Sequence, residues 1–218
     1  MIGVALFYSG FYLILWTLLL SLGLALFRLR IASFIAPLMI SVLPLSFISV
    51  LLQLLDKAYL TSIIQPVGAV LCYGLIFRFR WWHSILMVVL YYPINIFFEL
   101  FFNFVMTSFL WDRVVHHMVK DDLVSVGVLL LIGNFMLIWF LQRYRLGFTF
   151  IEVPPSHARF KKFSDQMLAF LLAAFAIFGI VGFAMYFLNT FVMIFIGFAL
   201  TLVWLWIIRL AYRAEIMD

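Results

Sequence analysis

The chain has 218 residues, of which 68% are hydrophobic and 11% are charged, and its mean hydropathy is +1.23. These values exclude a soluble globular domain and predict a single polytopic membrane domain, residues 1–218, that passes several times through a cell membrane. The net charge of +5 does not indicate nucleic-acid binding, because the basic residues lie in short clusters between apolar runs. The single cysteine, Cys72, excludes an intrachain disulfide.

Apolar segments separated by charged or turn residues predict an all-α bundle of about seven transmembrane helices, since roughly twenty apolar residues cross the hydrocarbon core. The predicted spans are residues 4–27, 31–55, 59–77, 81–110, 123–141, 163–188 and 190–208, with a cytoplasmic loop at residues 142–162. The first apolar run has no basic leader and no small-residue cleavage site. We therefore interpret it as a retained first span and not as a signal peptide.

The positions of arginine and lysine predict the orientation, because these residues are retained on the cytoplasmic side. An outside N-terminus makes eleven of the fourteen cations cytoplasmic, namely Arg28, Arg30, Arg78, Arg80, Arg143, Arg145, Arg159, Lys161, Lys162, Arg209 and Arg213. The reverse orientation inverts this ratio, so we predict an N-out, C-in protein. In the cytoplasmic loop, Arg159, Lys161 and Lys162 are expected to contact anionic lipid headgroups, at about 1 kcal/mol each.

The second and third spans contain prolines, which remove intrahelical hydrogen bonds and favour kinks. Pro37 and Pro44 lie in the second span, and Pro66 follows Gln65 near the outer end of the third. Kinks of this kind are compatible with motion, but in membrane bundles they are more often packing features. Gln65 is a candidate ligand-contacting residue, because it is a polar side chain within an apolar segment.

The fourth span, Trp81–Leu110, is the longest apolar run, and we expect the bundle to be organised around it. A glutamate at membrane depth costs roughly 2.5–3.5 kcal/mol, so Glu99 should face protein or water. Asn95, Glu99 and Asn103 are spaced i, i+4 and i+8 and share one helical face, which Tyr92 joins. Two interpretations of this polar stripe stay open: interhelical hydrogen bonding that fixes the bundle, or the wall of a ligand pocket or proton site.

Sequence motifs of catalysis are missing from the chain. It contains no phosphate-cradling glycine loop, no Gly-x-Ser-x-Gly and no His-Glu-x-x-His. His116 and His117 are adjacent, and in a helix adjacent side chains diverge by about 100°, so they are poorly placed to chelate one metal. We therefore predict a protein that is not an enzyme and has no metal or cofactor.

The order of these features resembles that in a bacterial receptor family. A first span closes on Phe27-Arg-Leu-Arg30, and a proline-containing span, a short span, a basic turn and a long aromatic span with Glu99 follow. This layout is similar to the membrane sensor half of the peptide-pheromone histidine kinases of the accessory-gene-regulator type, which carry a GHKL ATPase domain. The resemblance implies binding of a secreted peptide and signalling through a cytoplasmic helix.

The chain departs from that family because it ends about ten residues after the seventh predicted span, without the phosphoacceptor histidine or the ATP-binding boxes. The resemblance therefore implies a non-catalytic signal-binding module that acts through a separate membrane kinase or a homo-oligomer partner. Two other hypotheses stay open. Glu99, the kinked second span and Gln65 are also compatible with a small-solute transporter or its substrate-binding subunit, and a structural subunit of a membrane complex needs Glu99 only for packing.

Overall fold

A computed structural model describes residues 2–55, 57, 60–107, 123–149, 172–173, 175–177, 198, 201–209 and 212. The regular secondary structure of these residues is entirely helical, which confirms the all-α class. Four of the described helices are long and apolar enough to cross a membrane, as expected of a membrane protein. The total of seven spans and the N-out orientation stay predictions.

Five α-helices lie within residues 2–144, in the part of that range that the structure describes. They are α1 (Ile2–Leu26), α2 (Ile35–Leu54, after a 3-10 turn at Ile31–Phe34), α3 (Thr61–Leu71, continued by a π-helical turn at Cys72–Ile76), α4 (Trp81–Met106) and α5 (Leu123–Tyr144). Helix α4 begins at the predicted residue, Trp81, and α5 extends to Tyr144, into the range predicted as a loop. The predicted sixth and seventh spans lie largely outside the described residues, although residues 201–209 are helical.

The third predicted span differs most from its expected form. It consists of eleven α-helical residues followed by five π-helical residues. At about 1.5 Å per residue this segment is about 24 Å long, which is shorter than the hydrocarbon core of about 30 Å. The segment is accordingly not among the four membrane-length helices.

Helix α1, and not the fourth span, is the centre of the described bundle. It packs against α2, α4 and α5, and α4 likewise contacts three helices, α1, α3 and α5, so the degree of burial distinguishes the two. In the membrane-length window of α1, 61% of the residues are buried, compared with 33–44% in the other three windows. The length of its apolar run favoured α4 as the centre. Helix α1, however, has apolar side chains on every face, and such a helix can be covered by neighbours on several sides.

The contacts between helices show that successive helices run in opposite directions, so α1, α3 and α5 end at the side of the bundle where α2 and α4 begin. We call this the arginine end, because it carries the exposed residues Arg28, Arg30, Arg78, Arg80, Arg143 and Arg145. Aromatic contacts join the segments there: ring centroids lie 5.7 Å apart for Phe27 and Phe148 and 5.5 Å apart for Phe34 and Phe79. The contacts hold the ends of α1, α3 and α5 at one level of the bundle.

Three of these arginines have a left-handed backbone, with φ of 51° at Arg28, 60° at Arg78 and 51° at Arg145. Each occupies the position after a helix where glycine is usual. After α1 and α5 the hydrogen bonds are those of a Schellman motif, for example Leu29 N–H to the Leu24 carbonyl at 3.0 Å. A left-handed non-glycine residue costs roughly 1–2 kcal/mol, whereas a cation at a helix C-terminus gains only about 0.3–1 kcal/mol.

Two glycines permit close contacts near the arginine end. Gly147 has φ +125°, and a Cβ there would collide with the Leu26 carbonyl oxygen, which accepts a 2.8 Å hydrogen bond from Phe148 N–H. Gly23 leaves room for the Tyr73 hydroxyl, which donates to the Leu20 carbonyl at 2.7 Å. Through these contacts the residues after α5 and the π-helical turn are fastened to α1.

The described C-terminal residues also contact α4. Trp204 Nε1, in the helical segment 201–209, donates to the Leu90 carbonyl at 3.2 Å. Ile207 in the same segment is 2% exposed and belongs to the core. The segment therefore covers the part of α4 that lies nearer to the arginine end.

Candidate functional site in the polar half of the bundle

Helix α4 changes character at Pro93. Every residue from Ser84 to Tyr92 is buried, so the helix is surrounded on all sides over this stretch. Beyond the proline, Asn95 and Asn103 are the only buried residues of the helix, and Phe97 is 63% exposed. We call the part of the bundle from this level to the end opposite the arginines the polar half.

Three members of the predicted stripe lie in the polar half and Tyr92 lies just before it, and the members contact different neighbours. The Tyr92 hydroxyl donates to the Ser62 carbonyl of α3 at 3.3 Å. Asn95 Oδ1 accepts from Asn134 Nδ2 of α5 at 3.1 Å, and both asparagines are buried. The structure therefore does not bring Tyr92 and Asn95 to a common neighbour, and each forms part of a helix–helix contact.

Asn103 and Glu99 are linked within α4. Asn103 is 4% exposed, and its Nδ2 donates to the backbone carbonyl of Glu99 at 2.8 Å. The Asn103 carbonyl in turn accepts from Thr107 Oγ1 at 2.7 Å. Glu99 itself is half-buried, on a part of α4 where Phe97 and Phe101 are exposed and stack with ring centroids 6.3 Å apart. Its surroundings thus combine a carboxylate with accessible aromatic surface.

Gln65 belongs to a second polar cluster, centred on Ser49 of α2. The Ser49 hydroxyl oxygen accepts from Gln65 Nε2 at 3.0 Å and from Trp16 Nε1 at 2.9 Å, and it donates to the Leu45 carbonyl at 2.8 Å. One hydroxyl therefore connects α1, α2 and α3. Intramembrane hydrogen bonds average about 0.6 kcal/mol each, so the cluster stabilises the bundle modestly.

Sequence reasoning missed several of these polar partners. Besides Trp16, Ser49 and Asn134, they include Tyr12 of α1, whose hydroxyl donates to Gln53 Oε1 of α2 at 3.2 Å. Gln53 was the available signal, because an amide within an apolar span needs a partner. Serine, tyrosine and tryptophan are common enough in membrane helices that their pairing is visible only in three dimensions.

Three buried polar atoms of the described residues have no hydrogen-bond partner: Ser46 Oγ, Tyr91 OH and Asn134 Oδ1. Each residue lies near the middle of its helix, α2, α4 or α5. A buried unsatisfied group costs about 1–3 kcal/mol. The middle level of the bundle therefore has unused hydrogen-bonding capacity.

Among the described residues, the chemistry offered by the polar half is hydrogen bonding from amides and hydroxyls together with the carboxylate of Glu99. Within the ranges that the structure describes, no three His, Cys, Asp or Glu side chains form a group suited to a metal ion. Cys72 is buried in the π-helical turn after α3. The loop residues His116 and His117 and the cations Arg159, Lys161 and Lys162 lie outside the described residues.

The chain was compared with protein-family profiles, curated proteins and solved structures. No protein-family profile, no curated protein and no solved structure matches the chain.

Proposed function

We propose that the chain is a non-catalytic, multi-pass signal-binding protein that takes its ligand in the polar half of the bundle and acts through a partner protein. The observation that carries the proposal is the change in α4 at Pro93. Before the proline the helix is enclosed, and after it a half-buried carboxylate lies among exposed phenylalanines. A secreted peptide offers the complementary chemistry, because its amides can pair with polar groups and its apolar side chains can cover the phenylalanines.

Orientation is part of the proposal. With the arginine end in the cytoplasm, the polar half faces the outside, where a secreted peptide arrives. The enclosed stretch 84–92 then connects the ligand-binding half to the cytoplasmic ends of the helices. A partner kinase, or a second copy of the chain, would respond at those ends.

The test uses the full chain reconstituted in lipid vesicles and the peptide fraction of medium conditioned by the source organism. We expect saturable peptide binding that falls at least tenfold in Glu99→Gln, a loss of about 1.4 kcal/mol. Arg143→Gln, at the opposite end, is the matched control and should bind as the unaltered protein does. Thermal unfolding followed by tryptophan fluorescence establishes that both variants are folded. Absence of saturable binding, or equal binding by Glu99→Gln, would contradict the proposal.

A structural subunit of a membrane complex is the second candidate, and the Asn95–Asn134 hydrogen bond favours it. This contact shows that part of the stripe already serves helix packing. Under this alternative, Glu99→Gln lowers the stability or the assembly of the complex and leaves peptide binding unchanged. Measuring both quantities on the same preparation separates the two functions.

A further inference from the structure

We infer that Arg28, Arg78 and Arg145 are binding positions for the phosphate groups of anionic lipid headgroups, and that such lipids stabilise this fold. The inference does not depend on the proposed function. It begins from a local pattern at three helix C-termini: an aromatic residue, an arginine and an apolar residue stand at 27–29, 77–79 and 144–146. In these three copies the arginine has a left-handed backbone, whereas Arg80, in the same pattern at 79–81, precedes α4 and has φ −65°.

Glycine or asparagine would hold this backbone conformation with less strain than arginine. Among the described residues, the guanidinium groups of these three arginines make no hydrogen bond or ion pair, and all three side chains are exposed. The contacts described inside the protein therefore do not explain why arginine occupies a strained position at three separate helix ends. A ligand outside the protein explains it, because a planar guanidinium binds a phosphate through two hydrogen bonds.

The position of the arginines selects a membrane surface as the partner. Each lies one or two residues beyond the end of an apolar helix, at the level expected for lipid headgroups. At the same end Trp81 is 46% exposed, Trp82 is 37% exposed and Tyr144 is 59% exposed. Exposed tryptophan and tyrosine are typical of the membrane–water interface. An acidic protein surface would explain the charges but not this accompanying belt of aromatic side chains.

The experiment measures thermal unfolding of the full chain in neutral detergent during titration with short-chain phosphatidylglycerol or, separately, phosphatidylcholine. We expect the anionic lipid to raise the melting temperature saturably and the zwitterionic lipid to leave it nearly unchanged. The test variant is Arg28→Gly with Arg145→Gly. Two cations at an anionic surface together contribute roughly 25-fold, and two-point phosphate binding adds to this, so the apparent lipid affinity of this variant should fall by more than about 25-fold.

The same variant should melt at a higher temperature than the unaltered protein in detergent alone, because glycine relieves the left-handed strain. The two glycine substitutions should therefore raise the melting temperature in detergent alone but weaken the stabilisation by anionic lipid. The matched control is Arg30→Gln with Arg143→Gln, which removes two exposed arginines near the ends of the same helices at positions where φ is negative. This control should lose clearly less lipid affinity than the glycine pair, because it removes surface charge but no two-point phosphate contact, and it should gain no stability in detergent.

Three outcomes would overturn the inference. The glycine variant could keep the full lipid response, the control pair could lose as much of it as the glycine pair, or the glycine variant could be less stable in detergent alone. Arg78→Gly, measured by itself, repeats the test at the third helix end, so the inference can still be tested if the double glycine variant does not fold. Inorganic phosphate and polyglutamate are added in separate titrations. A melting shift from polyglutamate with none from phosphatidylglycerol would assign the arginines to an acidic protein partner.

Discussion

The arginine end and the polar half of the bundle are built on different principles. Near the arginine end, chain segments are fastened by backbone contacts and aromatic packing, and residues 84–92 of α4 are buried without interruption. In the polar half, single side-chain hydrogen bonds such as Asn95–Asn134 join helices that leave Phe97 exposed. Backbone contacts restrict the chain more than side-chain pairs worth about 0.6 kcal/mol do. The arginine end is therefore suited to a fixed support and the polar half to a surface that rearranges.

The largest predicted loss of stability follows from Gly147→Val, a substitution at the arginine end. The substitution combines a positive φ that valine rarely adopts with a collision against the Leu26 carbonyl oxygen. We expect the free energy of unfolding to fall by about 3 kcal/mol or more. Denaturant titration in detergent micelles measures the loss. Gly10→Ala is the control, since its Cβ meets nothing within 4 Å, and it should gain about 0.5–1 kcal/mol.

A smaller loss is predicted for Gly23→Ala, whose methyl group would collide with the Tyr73 hydroxyl. We expect a cost of about 1–3 kcal/mol. Tyr73→Phe alone should cost about 1 kcal/mol, because the bond to the Leu20 carbonyl is lost. Removing the hydroxyl also removes the closest contact, although the Tyr73 ring stays near the new methyl group, so the double variant should be more stable than additivity implies. Strict additivity in this double-mutant cycle would show that the two residues do not touch in the folded protein.

In the polar half, Ser49→Ala tests the cluster that connects α1, α2 and α3. It removes the acceptor of Trp16 and Gln65, and we expect a loss of about 1–2 kcal/mol. Ser46→Ala makes the same substitution in the same helix at a hydroxyl without a partner, and it should be neutral or stabilising. If the two variants were equally destabilised, the hydrogen bonds of Ser49 would contribute nothing. Both are measured by reversible unfolding in the same detergent.

The smallest effect is predicted for replacing the whole Asn95–Asn134 pair. Asn134→Leu alone leaves Asn95 Oδ1 without its partner and should cost about 1 kcal/mol, whereas Asn95→Leu combined with Asn134→Leu should be close to neutral. The comparison requires unfolding free energies for both single variants and the double variant. A double variant that loses more than the two single variants together would indicate a role for the pair beyond packing α4 against α5.

Each of the first five predicted spans overlaps one of the described helices, because in this part of the chain charged residues bound the apolar runs. Trp81 follows Arg80 directly, and α4 begins there. The shortened third helix was not predictable in the same way, since nothing in its hydropathy distinguishes the π-helical turn at Cys72–Ile76 from a continuous α-helix. Arginine is also an unusual residue for a left-handed backbone, so composition gave no indication of the conformation of Arg28, Arg78 and Arg145.

Within the candidate site, the i, i+4 spacing correctly places Asn95 and Asn103 on a buried face. Periodicity describes only one helix, however, and it contains no information on the neighbour that each residue meets. For that reason Asn134 and Ser49 were not identified as partners. Gln65 was identified as polar but not as a member of the Ser49 cluster. Tertiary contacts, which local pattern does not encode, decide how the predicted stripe is divided between α3 and α5.

The hydrogen bond between Trp204 and the Leu90 carbonyl has a consequence for synthesis of the protein. Its two partners are separated by 114 positions along the chain. At roughly 5–20 residues per second, a ribosome needs about 6–23 s to extend the chain from one to the other. During that interval α4 has already been made, while the tryptophan that covers its enclosed stretch has not. Premature termination before residue 204 would therefore leave the Leu90 carbonyl without the hydrogen bond of Trp204, although α1, α3 and α5 would still pack against α4.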